Sequence, residues 1–121
     1  MAITPTQRSL QKLRDEGYLA TVTERWNSHA RVRQDLFGFV DILALREGET
    51  LAIQTTTASN FAARRKKVLA HENLDAVISA GWQVVVHGWR KNKAGKWELN
   101  EAFMKPKEDV LRCENTTAIN E

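Results

Sequence analysis

Apolar and polar residues recur along this chain with two different periods, and the changes of period mark its elements. Thr4-Pro5-Thr6-Gln7 opens a helix, with Thr as N-cap, Pro at the first helical position and Gln at the capping-box position. The helix spans about residues 5–16, with Leu10 and Leu13 facing inward and Gly17 as a left-handed stop. Tyr18-Leu19-Ala20-Thr21-Val22-Thr23 is β-prone and is read as a strand to about Trp26, followed by a turn at Asn27-Ser28-His29. A second strand is expected over Asp35–Leu45 and a third over Thr50–Thr57, joined by a tight hairpin at Arg46-Glu47-Gly48-Glu49. The second is apolar on both faces toward its end, as in a covered sheet. Ser59 or Asn60 caps a helix through Phe61, Val68 and Leu69. A break near His71–Asn73 separates it from a shorter helical piece carrying Leu74, Val77 and Ile78, which Gly81 ends. Trp82–Trp89 is a strand, Lys91–Lys96 a turn, and Trp97–Phe103 the returning strand. The order α-β-β-β-α-β-β predicts an α/β fold, a mixed sheet with helices packed on it.

The chain has 121 residues, 42% of them hydrophobic, which suits one core and one domain over residues 1–104, with an acidic tail over 105–121. No apolar run approaches the roughly 18–20 residues of a membrane span. The start lacks the basic-then-apolar pattern of a secretory signal. Cys113 is the single cysteine, so an internal disulfide and a cysteine-only zinc site are excluded, and the expected compartment is a reducing cytoplasm. His29, His71 and His87 are scattered and form no H-E-x-x-H. There is no P-loop, no Gly-rich dinucleotide turn and no G-x-S-x-G. Trp26, Trp82, Trp89 and Trp97 read mainly as core or sheet-face packing, with base stacking by Trp89 and Trp97 a lesser reading.

The net charge of +3 is unevenly spread. Residues 1–60 carry seven basic and seven acidic groups. Residues 61–97 carry eight basic groups against Glu72 and Asp75. Residues 98–121 carry three against six. A basic middle suits a polyanion, and equally an ordinary solvated helix face.

Asp41 stands out because it lies within a run of Phe, Val, Ile and Leu, where an unpaired carboxylate is costly to bury. If Glu47-Gly48 is a two-residue loop, Arg46 pairs with Glu49 and Asp41 falls opposite Gln54, with Cβ atoms about 4.5–5.5 Å apart. Strand alternation puts Thr56 on the face of Gln54, so Asp41, Gln54 and Thr56 are expected together. A carboxylate and an amide oxygen with waters suit Mg²⁺. The structural alternative is a backbone-capped Asp41 or one paired with Arg33.

Asp41 and Gln54 on adjacent strands, within Asp35-Leu36-Phe37-Gly38-Phe39-Val40-Asp41-Ile42-Leu43-Ala44-Leu45 and Leu51-Ala52-Ile53-Gln54-Thr55-Thr56-Thr57, resemble the PD-(D/E)XK nuclease superfamily, with its restriction-endonuclease-like αβββαβ core. The branch most similar is that of small Holliday-junction-resolvase-like and phage-type nucleases. The resemblance covers about residues 5–104. It implies that Asp41 and Gln54 bind metal, with the backbone carbonyl of Thr55 as a further ligand. Thr56 falls where the motif has Lys, and threonine carries no positive charge. The resemblance implies a cation from the next helix instead, Lys67 or Arg64, since Asn60, Arg64 and Lys67 share a face. Glu24 and Glu16 are candidates for an extra acidic group. Arg64, Arg65, Lys66, Lys67, Arg90, Lys91 and Lys93 are the candidate DNA-binding residues.

The function this resemblance implies is Mg²⁺- or Mn²⁺-dependent hydrolysis of DNA phosphodiesters, on branched DNA, by a homodimer of phage or mobile-element character acting in a bacterial or phage-infected cytoplasm. The rival expectation is the same fold without hydrolysis, a DNA-binding or protein-interaction module. The missing Lys and the Gln in place of Glu favour that rival.

Overall fold

The computed structural model describes residues 3–105. The acidic tail beyond them, with Val110-Leu111 and Cys113, lies outside the described residues. The fold is α/β, a five-stranded mixed sheet flanked by helices. Its elements are α1 (Pro5–Asp15), β1 (Leu19–Val22), β2 (Arg25–Asn27), β3 (Val32–Gln34), β4 (Ile42–Arg46), β5 (Glu49–Thr57), a short 3₁₀ turn (Ala58–Asn60), α2 (Phe61–Leu69), α3 (Leu74–Ser79), β6 (Gln83–Lys91) and β7 (Trp97–Met104). The sheet order is β1-β4-β5-β6-β7, and β2 and β3 form a separate two-stranded ribbon. Among the described residues only the β5–β6 contact is parallel, and α2 and α3 make its crossover.

Local chemistry sets the ends of α1. The Thr4 hydroxyl accepts from the Gln7 N–H while the Gln7 side chain accepts from the Thr4 N–H, each at 3.1 Å. At the other end the Tyr18 N–H reaches the Leu13 carbonyl (3.0 Å) and the Gly17 N–H the Arg14 carbonyl (3.1 Å), with Gly17 at φ 93°. This is the Schellman stop that the glycine allows.

The sheet buries both faces. On one, Leu13 of α1 and Tyr18 pack with Ala20, Ile42, Ala44, Leu51, Ile53 and Val85. On the other, Val68 of α2 and Leu74 and Val77 of α3 pack with Phe39, Val40, Ala52, Val84, Val86 and Met104. The β4–β5 hairpin has the expected register, with Arg46 opposite Glu49 and Ile42 opposite Ile53.

Two strand boundaries differ from expectation. The strand expected over Asp35–Leu45 begins only at Ile42. Phe37 (φ 57°) and Gly38 (φ 91°) turn Asp35–Val40 back on itself, and Leu36 and Val40 exchange backbone hydrogen bonds of 3.0 and 2.9 Å. The strand expected to run on to Trp26 breaks at Thr23 and Glu24. There the Thr23 N–H bonds the Asp41 carbonyl (2.7 Å) and its hydroxyl the Val40 carbonyl (2.8 Å), and the chain leaves the sheet as the β2–β3 ribbon. With that ribbon set aside as an excursion, the remaining order is the expected α-β-β-β-α-β-β, the middle helix split into α2 and α3.

Candidate functional site

Where β4 starts, its neighbour β5 still has residues to pair, and this mismatch makes a site. The paired register ends at Ile42 opposite Ile53, and the Asp41 N–H bonds the same Ile53 carbonyl (2.8 Å), so Asp41 meets Gln54 through side chains and not as the expected cross-strand pair. Asp41 is buried, with 3% of its surface exposed, and three donors converge on its Oδ2. They are the Gln54 amide nitrogen (2.5 Å), the Thr55 backbone N–H (2.9 Å) and the Thr55 hydroxyl (3.1 Å). The Thr55 hydroxyl is also 2.7 Å from that of Thr6, in the first turn of α1. Because the N–H and C=O of one residue project to the same side of a strand, the Thr55 carbonyl faces this side too.

A cleft of about 220 Å³ opens here, lined by Pro5, Thr6, Glu24, Asp35, Asp41, Gln54, Thr55 and Arg64. Carboxylate oxygens of Glu24, Asp35 and Asp41 lie within 4.8 Å of one another. Loss of solvent pushes the Asp41 carboxyl up to about 8. The Thr55 N–H opposes that rise, while a hydrogen bond with the Asp35 carboxyl and the charges of Asp35 and Glu24 add to it. Three hard carboxylate oxygens suit an oxygen-preferring divalent ion of the Mg²⁺, Mn²⁺ or Ca²⁺ kind, so Glu24, Asp35 and Asp41 could hold a metal ion.

The residues singled out from the sequence divide as follows. Asp41, Gln54, Thr55, Glu24 and Arg64 line the cleft. Gln54 turns its amide nitrogen to Asp41 and thereby orients the carboxylate. Thr56 is absent from the lining. It shares the face of Gln54 but lies two residues farther past the end of β4, buried opposite Gly88 of β6, so the expected trio of Asp41, Gln54 and Thr56 is replaced by Asp41, Gln54 and Thr55. Asp41 bonds Thr55 because β4 has ended, leaving the Thr55 N–H without a strand partner on that side. Arg64, half-buried in the first turn of α2, reaches the cleft. Lys67 sits about one turn farther along and is exposed, as are Arg65 and Lys66. Glu16 lies at the far end of α1, paired with Lys12. Arg33 pairs with Glu24 at 3.1 Å rather than with Asp41. Arg90 pairs with Glu98 (3.1 Å), while Lys91 and Lys93 are exposed where β6 turns into β7. Since β5 and β6 are parallel, that turn is at the same end of the sheet as the cleft.

Asp35 and Thr6 escaped the sequence reading. The signal for Asp35 was Gly38, three residues on. A glycine inside an apolar run marks a bend as readily as a strand, and here the bend folds Asp35 beside Asp41. Thr6 carried no local signal, because only helix docking brings it to Thr55.

A second polar chain crosses from α1 to the sheet. The Trp89 indole N–H donates to the Ser9 hydroxyl (2.9 Å), which is 2.8 Å from His87 Nδ1, and His87 Nε2 is 3.1 Å from Glu101. Ser9 is fully buried, so this chain fastens α1 and presents no nucleophile. Burial lowers the His87 pKa, against the pull of Glu101.

No helix among the described residues is long and apolar enough to cross a membrane. Compared with models of known protein families and with curated proteins, the chain matches none.

Proposed function

We propose that the protein is a divalent-metal-dependent DNA endonuclease of the PD-(D/E)XK kind. The observation that carries this reading is the meeting of Glu24, Asp35 and Asp41 with Arg64 in one cleft at the end of a β-hairpin. Asp41, Asp35 and Glu24 are the residues to hold the ion, with the Thr55 carbonyl on the same side of β5. When bound, a divalent ion polarises a phosphate and makes a bound water more acidic.

The chain's own groups do the rest. Gln54 and Thr55 fix one Asp41 oxygen, so the carboxylate is held in place before substrate arrives. Arg64 supplies the positive charge that Thr56 lacks and faces the developing charge on the phosphate. A guanidinium stays protonated, so Arg64 stabilises charge and does not take the proton from water. Branched DNA is the proposed substrate class. One site per chain makes a homodimer the form able to cut two strands symmetrically.

The test uses labelled four-way junction, duplex and single-stranded DNA with Mg²⁺ or Mn²⁺. Wild type should cleave, Asp41→Ala should lose cleavage by at least about 10³-fold, and Arg64→Ala should lose about 10²-fold, as when one stabilising donor is removed. A wild type that binds DNA in Mn²⁺ yet leaves every substrate intact is the alternative, a module that binds without hydrolysis. The feature favouring that alternative is Gln54, whose amide donates to Asp41 where an acidic residue would bring a further charge.

A further inference from the structure

The β2–β3 ribbon does nothing for the core. Its strands pair only with each other, Arg25 with Gln34, Trp26 with Arg33 and Asn27 with Val32, and five of these six residues are exposed. A lone two-stranded ribbon is marginal in water, yet this one displays Trp26 at 59% exposure and Val32 at 46%. The other tryptophans are engaged. Trp82 packs against Phe37, Trp89 bonds Ser9, and Arg8 covers Trp97 at 3.8 Å. Among the described residues Trp26 has neither an aromatic nor a cationic partner over its ring.

Charge gives the ribbon a sign. Arg25, Arg31 and Arg33 are exposed along it. Among the described residues neither Arg25 nor Arg31 meets a carboxylate, and only Arg33 does, through Glu24 of the cleft. Arg25, Arg33 and Gln34 line an open groove of about 710 Å³ whose wall includes Thr23 and Asp35. Asp35 also lines the candidate metal cleft, so groove and cleft are neighbours that meet at this residue. Trp26 lies directly across the ladder from Arg33, about 4.5–5.5 Å between Cβ atoms. Trp26 shares its face of the ribbon with Arg33, while Arg25 lies on the other face and Arg31 in the turn. An indole on a ribbon that also carries three guanidiniums is chemistry suited to a polynucleotide with unpaired bases. The ring takes a base face, which every base has, and the arginines take phosphates. A paired base inside a duplex offers no such face.

From this juxtaposition we infer that the β2–β3 ribbon is a single-strand-binding arm, in which Trp26 stacks on an unpaired base while Arg25, Arg31 and Arg33 hold the flanking phosphates and lead the strand toward the cleft. The inference rests on the nuclease reading for its direction toward the cleft, but the binding it asserts is independent of hydrolysis.

The experiment is therefore run on the full chain without metal, in EDTA. Binding of a fluorescein-labelled oligo-dT and of a blunt duplex is followed by anisotropy, with tryptophan emission recorded in parallel. Wild type should bind oligo-dT with quenching of its emission. Trp26→Ala should weaken oligo-dT binding by tenfold or more and remove most of the quenching, with little effect on the duplex. Trp26→Phe should restore part of the affinity. Arg25→Ala with Arg31→Ala should weaken binding and flatten its dependence on salt. Since these side chains are exposed, the variants should melt with wild type. Equal affinity of wild type and Trp26→Ala for oligo-dT overturns the arm and leaves the nuclease reading standing. Loss of single-strand binding in Trp26→Ala by a protein that never cleaves upholds the arm and overturns the nuclease. A wild type that binds no oligo-dT overturns the arm, while the nuclease reading is decided separately by cleavage in Mg²⁺ or Mn²⁺.

Discussion

Asp41 shows how a single side chain collects the chemistry of its surroundings. Buried among apolar neighbours and facing Asp35 and Glu24, its carboxyl holds a proton to about 8, against an ordinary 3.8. A folded-state value above the unfolded one adds stability at low pH, and that stability is lost as pH rises toward the folded value. His87 acts oppositely. Its folded value lies below 6.5, so its contribution is complete above pH 6.5 and is lost as pH falls. Below 6.5 the two trends oppose each other, whereas between 6.5 and about 8 Asp41 acts alone. Stability of the metal-free protein should fall across that window by up to about 1.4 kcal/mol per pH unit, read by urea unfolding. Asp41→Asn should remove the slope. Millimolar Mn²⁺ should also remove it, because an ion that binds the folded carboxylates stabilises them. A slope unchanged by both treatments would count against Asp41 as the titrating group. Asp41 and Gln54 were legible in the sequence because each is a polar residue set within an apolar run. Asp35 was not, since a polar residue at a strand's supposed start looks ordinary until Phe37 and Gly38 adopt positive φ.

At the scale of elements, the cleft depends on how α1 and α2 seat at one end of β5. The Ser9–His87–Glu101 chain and the Trp89–Ser9 bond fasten α1 to β6 and β7, and one turn earlier Thr6 meets Thr55. On the opposite face Gly88 of β6 lets Phe61, the first residue of α2, lie flat on the sheet. A Cβ at Gly88 would come within 2.5 Å of the Phe61 ring and 3.1 Å of its own Cβ. Gly88→Ala should therefore displace α2 and carry Arg64 from the cleft, with a stability loss of about 1–3 kcal/mol. The enzyme reading adds that cleavage should fall further than the lost stability accounts for. An alanine variant that is as stable and as active as wild type would show that Phe61 can move aside freely. The helices themselves were readable from their caps and stops. Their seating was not, because the sequence contains no local record that Gly88 faces Phe61 or that Ser9 faces His87.

For the whole molecule, the decisive feature is where charge gathers. The first turns of α2 and the β6–β7 turn lie toward the end of the sheet that holds the cleft, where Arg33 pairs with Glu24 of the cleft and Arg25 and Arg33 line the groove that shares Asp35 with it. If this end meets a polyanion, affinity should fall steeply with salt. Lys66→Ala should weaken binding about equally for all DNA sequences and reduce the log–log salt slope by about 1. A slope identical to that of wild type would remove α2 from the interface. The sequence by itself determined the α/β class, the helix ends, the β4–β5 register from Arg46–Glu49 to Ile42–Ile53, and the nearness of Asp41 to Gln54. Those properties follow from period, capping and turn chemistry, which act over a few residues. Tertiary structure alone decided that the chain leaves the sheet at Thr23 as a separate ribbon. It also brought Glu24 and Asp35 to Asp41, chose Arg64 over Lys67, and put Thr55 rather than Thr56 in the cleft. Each of these depends on contacts between residues far apart in the chain, and such contacts are fixed by packing across the sheet, which no local pattern encodes.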